Sequence, residues 1–126
     1  MEWVLVLGSV FNMAGWVLIL ASLTISLPYG FPKPPLPAEI NPPDYMLYRL
    51  FTAGTAFTFG AKYYYLFRNP CYAATFLPFG MCLKYWAFAS SLIAYRRYRL
   101  PGEVFAAFGC TNGCVAVLFS IYLLAA

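Results

Sequence analysis

Residues 3–27 read WVLVLGSVFNMAGWVLILASLTISL, a run without a single charged side chain. A hydrocarbon core about 30 Å thick takes roughly 20 apolar residues as a helix, so this run is long enough to cross a bilayer. Glu2 stands where a secretory signal would carry a basic segment, and the run exceeds the ~7–15 apolar residues of such a signal. It therefore reads as a retained membrane helix. Further along the chain, apolar stretches bounded by charge, proline or turn residues recur at about 46–67, 71–95 and 104–125. The fold class expected is all-α, a polytopic membrane protein built as a four-transmembrane-helix bundle, with residues 1–126 forming one transmembrane domain.

Composition points the same way. The chain is 63% hydrophobic and 10% charged, whereas a soluble domain is roughly 45–50% apolar and about 25% charged. A mean hydropathy of +0.70 excludes a disordered chain, which would be poor in apolar residues and rich in charge. Eight Lys+Arg against four Asp+Glu give a net charge of +4. Most of these cations flank apolar segments, where they orient membrane helices, and no nucleic-acid partner is expected. The absence of His removes imidazole metal ligands, the commonest general base and the Ser-His and Cys-His nucleophile pairs.

The connections are short except for the proline-rich loop at 28–44, which holds seven of the ten prolines and cannot be regular helix. Arg68-Asn69-Pro70 joins helices two and three as an antiparallel hairpin, and the Arg96/Arg97/Arg99 stretch precedes a turn at Leu100-Pro101-Gly102. The positive-inside rule then places both basic loops in the cytoplasm and both termini on the other side of the membrane. Tyr63-Tyr64-Tyr65 and Tyr95/Tyr98 fall where an aromatic belt would lie.

In lipid, helices associate through small residues that permit close approach and through a few polar contacts. Gly8, Asn12, Gly15, Ile19, Ser22 and Ser26 share one stripe of helix one. Gly109 and Gly113 form a G-x-x-x-G step in helix four, so Gly8, Gly15, Gly109 and Gly113 are the expected packing positions. Lys84 lies about twelve residues from either end of helix three, hence roughly 18 Å from each. A midplane ammonium is costly and is a candidate functional group, unless tilt of the helix lets it reach an interface. Asn12 and Asn112 fall at a similar depth and Thr58 joins a polar stripe on helix two, so Lys84, Asn12, Asn112 and Thr58 are the candidate ligand-binding residues. All four acids lie outside the helix centres, leaving no obvious counter-ion. Pro78 should bend helix three one turn before Lys84. Cys110 and Cys114 share a face, but small apolar packing is the expected role of both, and neither a metal site nor a cofactor is expected.

Across helices two to four, the order Tyr48-Arg49, a small-residue helix, the Arg68-Asn69-Pro70 turn, Lys84-Tyr85 to Tyr95 and Leu100-Pro101-Gly102 resembles small four-helix membrane proteins of the DoxX-like kind. The likeness covers about two thirds of the chain and rests on layout. It implies a four-helix bundle acting as a subunit of a membrane oxidoreductase or as a factor in sterol or lipid metabolism. Relatives of that type that isomerise sterols use buried acids, which no helix centre here carries. The reading expected is a non-catalytic accessory or assembly subunit, whose partners are membrane lipids and other membrane subunits or a second copy of itself. The alternatives are a binding or transport protein for a lipid-like or anionic molecule held by Lys84, and a membrane enzyme of lipid metabolism with Lys84 as base or Schiff-base nucleophile.

Overall fold

The structure is a computed structural model that describes residues 1–28, 31, 33–37 and 39–125. Among the described residues it is all-helical and contains no strand. Four helices carry it: α1 (Trp3–Ala21), α2 (Tyr45–Arg68), α3 (Ala73–Arg97), entered through a 3-10 turn at Pro70–Tyr72, and α4 (Gly102–Ala125). Three of the four helical stretches, Trp3–Ala21, Pro70–Arg97 and Gly102–Ala125, are long and apolar enough to cross a membrane. α2 matches them in length but carries Arg49, Lys62 and Arg68 and falls short in apolarity.

Local chemistry explains most of the boundaries. Pro42 and Pro43 prevent α2 from starting earlier, and Pro70 disfavours helical backbone at Asn69, whose amide caps the Tyr65 carbonyl at 3.0 Å. α1 stops at Ala21, six residues short of the sequence expectation of 27. The Ser22 hydroxyl donates to the Ile19 carbonyl at 2.6 Å and Thr24 to Ala21, so side chains compete with the helical ladder. The 19 residues that remain span about 28 Å, still the thickness of a hydrocarbon core. α3 runs as one helix through Pro78.

α4 contains a π-helical turn at Phe105–Cys110. Side chains just beyond it take up carbonyls within it. Thr111 donates to the Ala107 and Phe108 carbonyls, and the Asn112 amide donates to Phe108 at 2.7 Å. Such bulges cluster at functional positions, and this one ends two residues before Asn112.

The helices pack as two antiparallel pairs. In the first, α1 and α2 are fastened by Ser9 donating to the Gly60 carbonyl at 2.8 Å, Asn12 to Ala56 at 3.3 Å and Arg49 to Ser22. Adding a Cβ at Gly60 would bring it 3.1 Å from Asn12, which shows how closely the backbones approach. In the second pair, Ser91 of α3 sits against Gly109, Phe88 against Gly113, and Tyr85 bonds Ser120 at 2.8 Å. α2 and α3, although joined by the shortest connection, make the slighter contact.

The pairs meet at an apolar cluster near one end, where Val4, Leu5, Tyr63, Leu66, Leu77, Val115 and Phe119 are buried. Tyr63 and Phe119 meet edge to face at 4.8 Å. Tyr63 is 0% exposed, so it belongs to this core and not to an aromatic belt; Tyr64, Tyr65, Tyr95 and Tyr98 do face outward. The reason is that Gly8 and Gly80 leave room for its ring, since a Cβ at Gly80 would lie 2.5 Å from it.

Candidate functional site: a buried polar core at Lys84

Lys84 projects from the buried face of α3, which also carries Ala73, Leu77, Gly80 and Ser91. It is 5% exposed. Its ammonium donates to Asn12 Oδ1 of α1, and to Asn112 Oδ1 of α4 at 2.9 Å. The Tyr63 ring of α2 lies with its centroid 5.9 Å from Nζ. One lysine thereby touches all three other helices.

The two asparagines are held in the orientation an ammonium needs. Each amide nitrogen is anchored on a backbone carbonyl, Asn12 on Ala56 and Asn112 on Phe108, so each side-chain oxygen turns toward Lys84. Two neutral dipoles replace the carboxylate that a buried cation would ordinarily seek. Glu2, Glu39, Asp44 and Glu103 are all exposed. The Tyr63 hydroxyl is buried without a hydrogen-bond partner among the described residues.

Thr58 stands apart from this cluster. It is exposed, its hydroxyl donates to the Gly54 carbonyl of its own helix, and it borders a groove with Ala61, Lys62, Tyr65, Leu66 and Phe76. Of the four packing glycines expected, Gly8, Gly109 and Gly113 meet neighbours closely. A Cβ would lie 2.4 Å from Phe119 at Gly8, 2.1 Å from the Ser91 hydroxyl at Gly109 and 3.1 Å from Phe88 at Gly113. Gly15 is the exception, with nothing within 4 Å of its Cβ position. Gly15 faces away from α2 at that height, where the contact between the two helices is made by its neighbour Trp16, whose ring lies 4.8 Å from Phe57. Gly60 is a closely packed position that the small-residue stripes left out, and Gly80, on the face of Lys84, is packed as closely. Cys110 and Cys114 face outward rather than into the core, as do Cys71 and Cys82.

A second buried cation was missed. Arg49, 8% exposed, donates to the Ser22 hydroxyl at 2.6 Å, the Ser22 carbonyl at 3.2 Å and the Tyr45 hydroxyl at 3.0 Å. It sits on the last turn of α1, where the free carbonyls of a helix end favour positive charge. Its spacing with Ala53, Ala56, Gly60 and Tyr63 along one face of α2 was the available signal.

Two shallow, open hollows mark the surface among the described residues, and Lys84 borders neither. One lies at the start of α1 around Trp3, Val6, Val10 and Phe67; the other is the groove beside Thr58 and Lys62. Compared with protein-family models, with curated proteins and with solved structures, the chain matches none.

Proposed function

We propose that this is a small non-catalytic integral membrane protein that works by association, as an accessory or assembly subunit of a larger membrane complex. The observation that carries the reading is that the buried ammonium of Lys84 is taken up by Asn12 and Asn112 of its own bundle. Polar groups inside the helices are thus spent on fastening helix to helix, and the loops are too short to hold a working domain outside the bilayer. The layout likeness to DoxX-like proteins, which include subunits of membrane oxidoreductases, adds to it.

In this reading α2 is the fourth span. Arg49 and Arg68 lie at its two ends, and the Thr52, Thr55 and Thr58 hydroxyls are each bonded to the carbonyl four residues back, which lowers the cost of placing them in lipid. Four spans put the proline-rich loop and the Arg96/Arg97/Arg99 loop on the cytoplasmic side and the termini on the other.

A second reading, a binding site for an anionic or lipid-like molecule at Lys84, is favoured by the absence of a carboxylate among the lysine's partners and by the unpaired Tyr63 hydroxyl beside it. Native mass spectrometry on protein gently extracted from its own membrane separates the two. Additional polypeptides at fixed stoichiometry in both wild type and Lys84→Ala support the subunit reading. A discrete small-molecule mass present in wild type and missing from Lys84→Ala overturns it in favour of the ligand.

A further inference from the structure

Lys62 is the one cation on α2 whose charge is neither at a helix end nor buried among oxygens. Among the described residues, its ammonium contacts two rings, Phe59 at 5.0 Å and Phe79 at 5.4 Å from their centroids. Phe59 lies one turn toward the start of α2, so the side chain leans away from the Arg68 end and not toward the nearer interface. Lys62 stands six residues before Arg68, about 9 Å along the helix. Its lean toward Phe59 and Phe79, each nine residues or about 13 Å from the Arg68–Pro70 turn, carries the charge deeper than its own Cα. Half of a hydrocarbon core is about 15 Å. With α2 as the fourth span, the ammonium is therefore held well inside the hydrocarbon half-thickness by aromatic faces, on the outside of the bundle.

The same lysine borders the groove formed with Thr58, Ala61, Tyr65, Leu66 and Phe76. A charge held at this depth and facing outward is costly, and an anionic partner at the same depth relieves the cost. Phospholipid phosphates and fatty-acid carboxylates sit at the surface, well short of it. The carboxylates of a second copy of these residues do not reach that depth either, because Glu2 stands at the N-cap of α1, Glu103 in the first turn of α4, and Glu39 and Asp44 in the long loop.

We infer that the groove between α2 and α3 receives a transmembrane helix of a different protein, one carrying an Asp or Glu near its middle, whose carboxylate accepts a hydrogen bond from Lys62. The inference rests on the subunit reading and gives the partner its chemistry. The small side chain of Ala61 and the exposed apolar faces of Tyr65 and Phe76 accommodate the helix, while Phe59 and Phe79 keep the ammonium aimed outward until it is paired.

The test uses the full chain reconstituted in phosphatidylcholine vesicles with a fluorescent Leu/Ala transmembrane peptide carrying one central Glu, or Gln at the same place, and reads association by energy transfer at mildly alkaline pH. A polar contact between helices in lipid is worth about 1–2 kcal/mol, so wild type should prefer the Glu peptide by about 5–30-fold. Lys62→Met should erase that preference, Lys62→Arg should keep it, and Lys33→Met, which removes one charge from the long loop, should leave it as in wild type. Unchanged helical circular dichroism shows that Lys62→Met is folded. Equal binding of the two peptides to wild type, or a preference that survives Lys62→Met, overturns the inference, even where polypeptides still accompany the native protein and the subunit reading stands. A preference that is lost with Lys62→Met in a protein purified without any accompanying polypeptide supports the groove and counts against the subunit reading alone.

Discussion

Replacing Gly8 by Ala tests whether the junction of the two helix pairs is as tight as its geometry requires. A Cβ at Gly8 would stand 2.4 Å from Phe119 Cζ and 3.3 Å from Tyr63 Cδ2, whereas ordinary contact begins at 3.4 Å. The Phe119 ring would have to retreat by about 1 Å. Both rings are 0% exposed and lean edge to face on each other, so neither has a free side to move into. Overpacking of this kind costs about 1–3 kcal/mol. Gly15→Ala is the matched control on the same helix, for its Cβ meets nothing within 4 Å. There the change should be neutral, or stabilising by up to about 1 kcal/mol through helix propensity. Dodecyl sulfate titration in mixed micelles, followed by Trp fluorescence and far-UV circular dichroism, should show Gly8→Ala unfolding earlier and Gly15→Ala no earlier than wild type. Phe119→Leu introduced with Gly8→Ala removes the clashing atom and should recover part of the loss, a coupling within the usual ~0.5–3 kcal/mol for touching residues. Equal stability of the two alanine variants would refute the packing account of this junction.

Further predictions follow from the polar core and its surroundings. Asn12→Leu strips the Lys84 ammonium of one acceptor and should cost about 1.5–3 kcal/mol, as for hydrogen bonds to charged groups. Adding Lys84→Met to the same chain should restore much of it, which denaturant titration of single and double variants reads directly. Tyr63→Phe deletes a buried hydroxyl without a partner and should raise stability by about 1 kcal/mol; a fall would mean that the hydroxyl serves a bound molecule. Ser22→Ala removes the 2.6 Å bond to Arg49 and should loosen the end of α1, seen as faster amide exchange at residues 18–25 with little change near Lys84. In a cysteine-free background, a cysteine at Tyr98 should react with an impermeant maleimide only from the cytoplasmic face, and labelling from the opposite face would reverse the topology.

Much of the architecture was legible because apolar length and proline punctuation dominate it. Pro42-Pro43 and Pro70 set the ends of α2 within a residue or two, and the uncharged run of α1 announces a span. The end of α1 was less visible, since Ser22 and Thr24 are compatible with helix until their hydroxyls find backbone carbonyls or an arginine. Residue counting brought Lys84 to the middle of its helix, at the height of Asn12 and Asn112. That its two acceptors would be Asn12 and Asn112 depended on register between helices, and the π-helical turn before Asn112 alters that register in a way no residue pattern discloses. Tyr63 was hidden for a related reason, because three consecutive tyrosines look like one interfacial feature although a helix turns each to a different side. Gly15 shows the converse: correct spacing on a stripe does not ensure a neighbour at that height.

The account rests on Lys84 being a fastening of the bundle and not a ligand's counter-ion. Its most direct test is a native mass spectrum of the triple variant Asn12→Leu, Lys84→Met and Asn112→Leu, expressed in the protein's own membrane. Exchanging all members of a satisfied polar cluster for apolar residues is often near neutral for folding. The account predicts a folded triple variant that carries the same accompanying polypeptides as wild type. A folded triple variant that has lost a small-molecule mass present in wild type would contradict it.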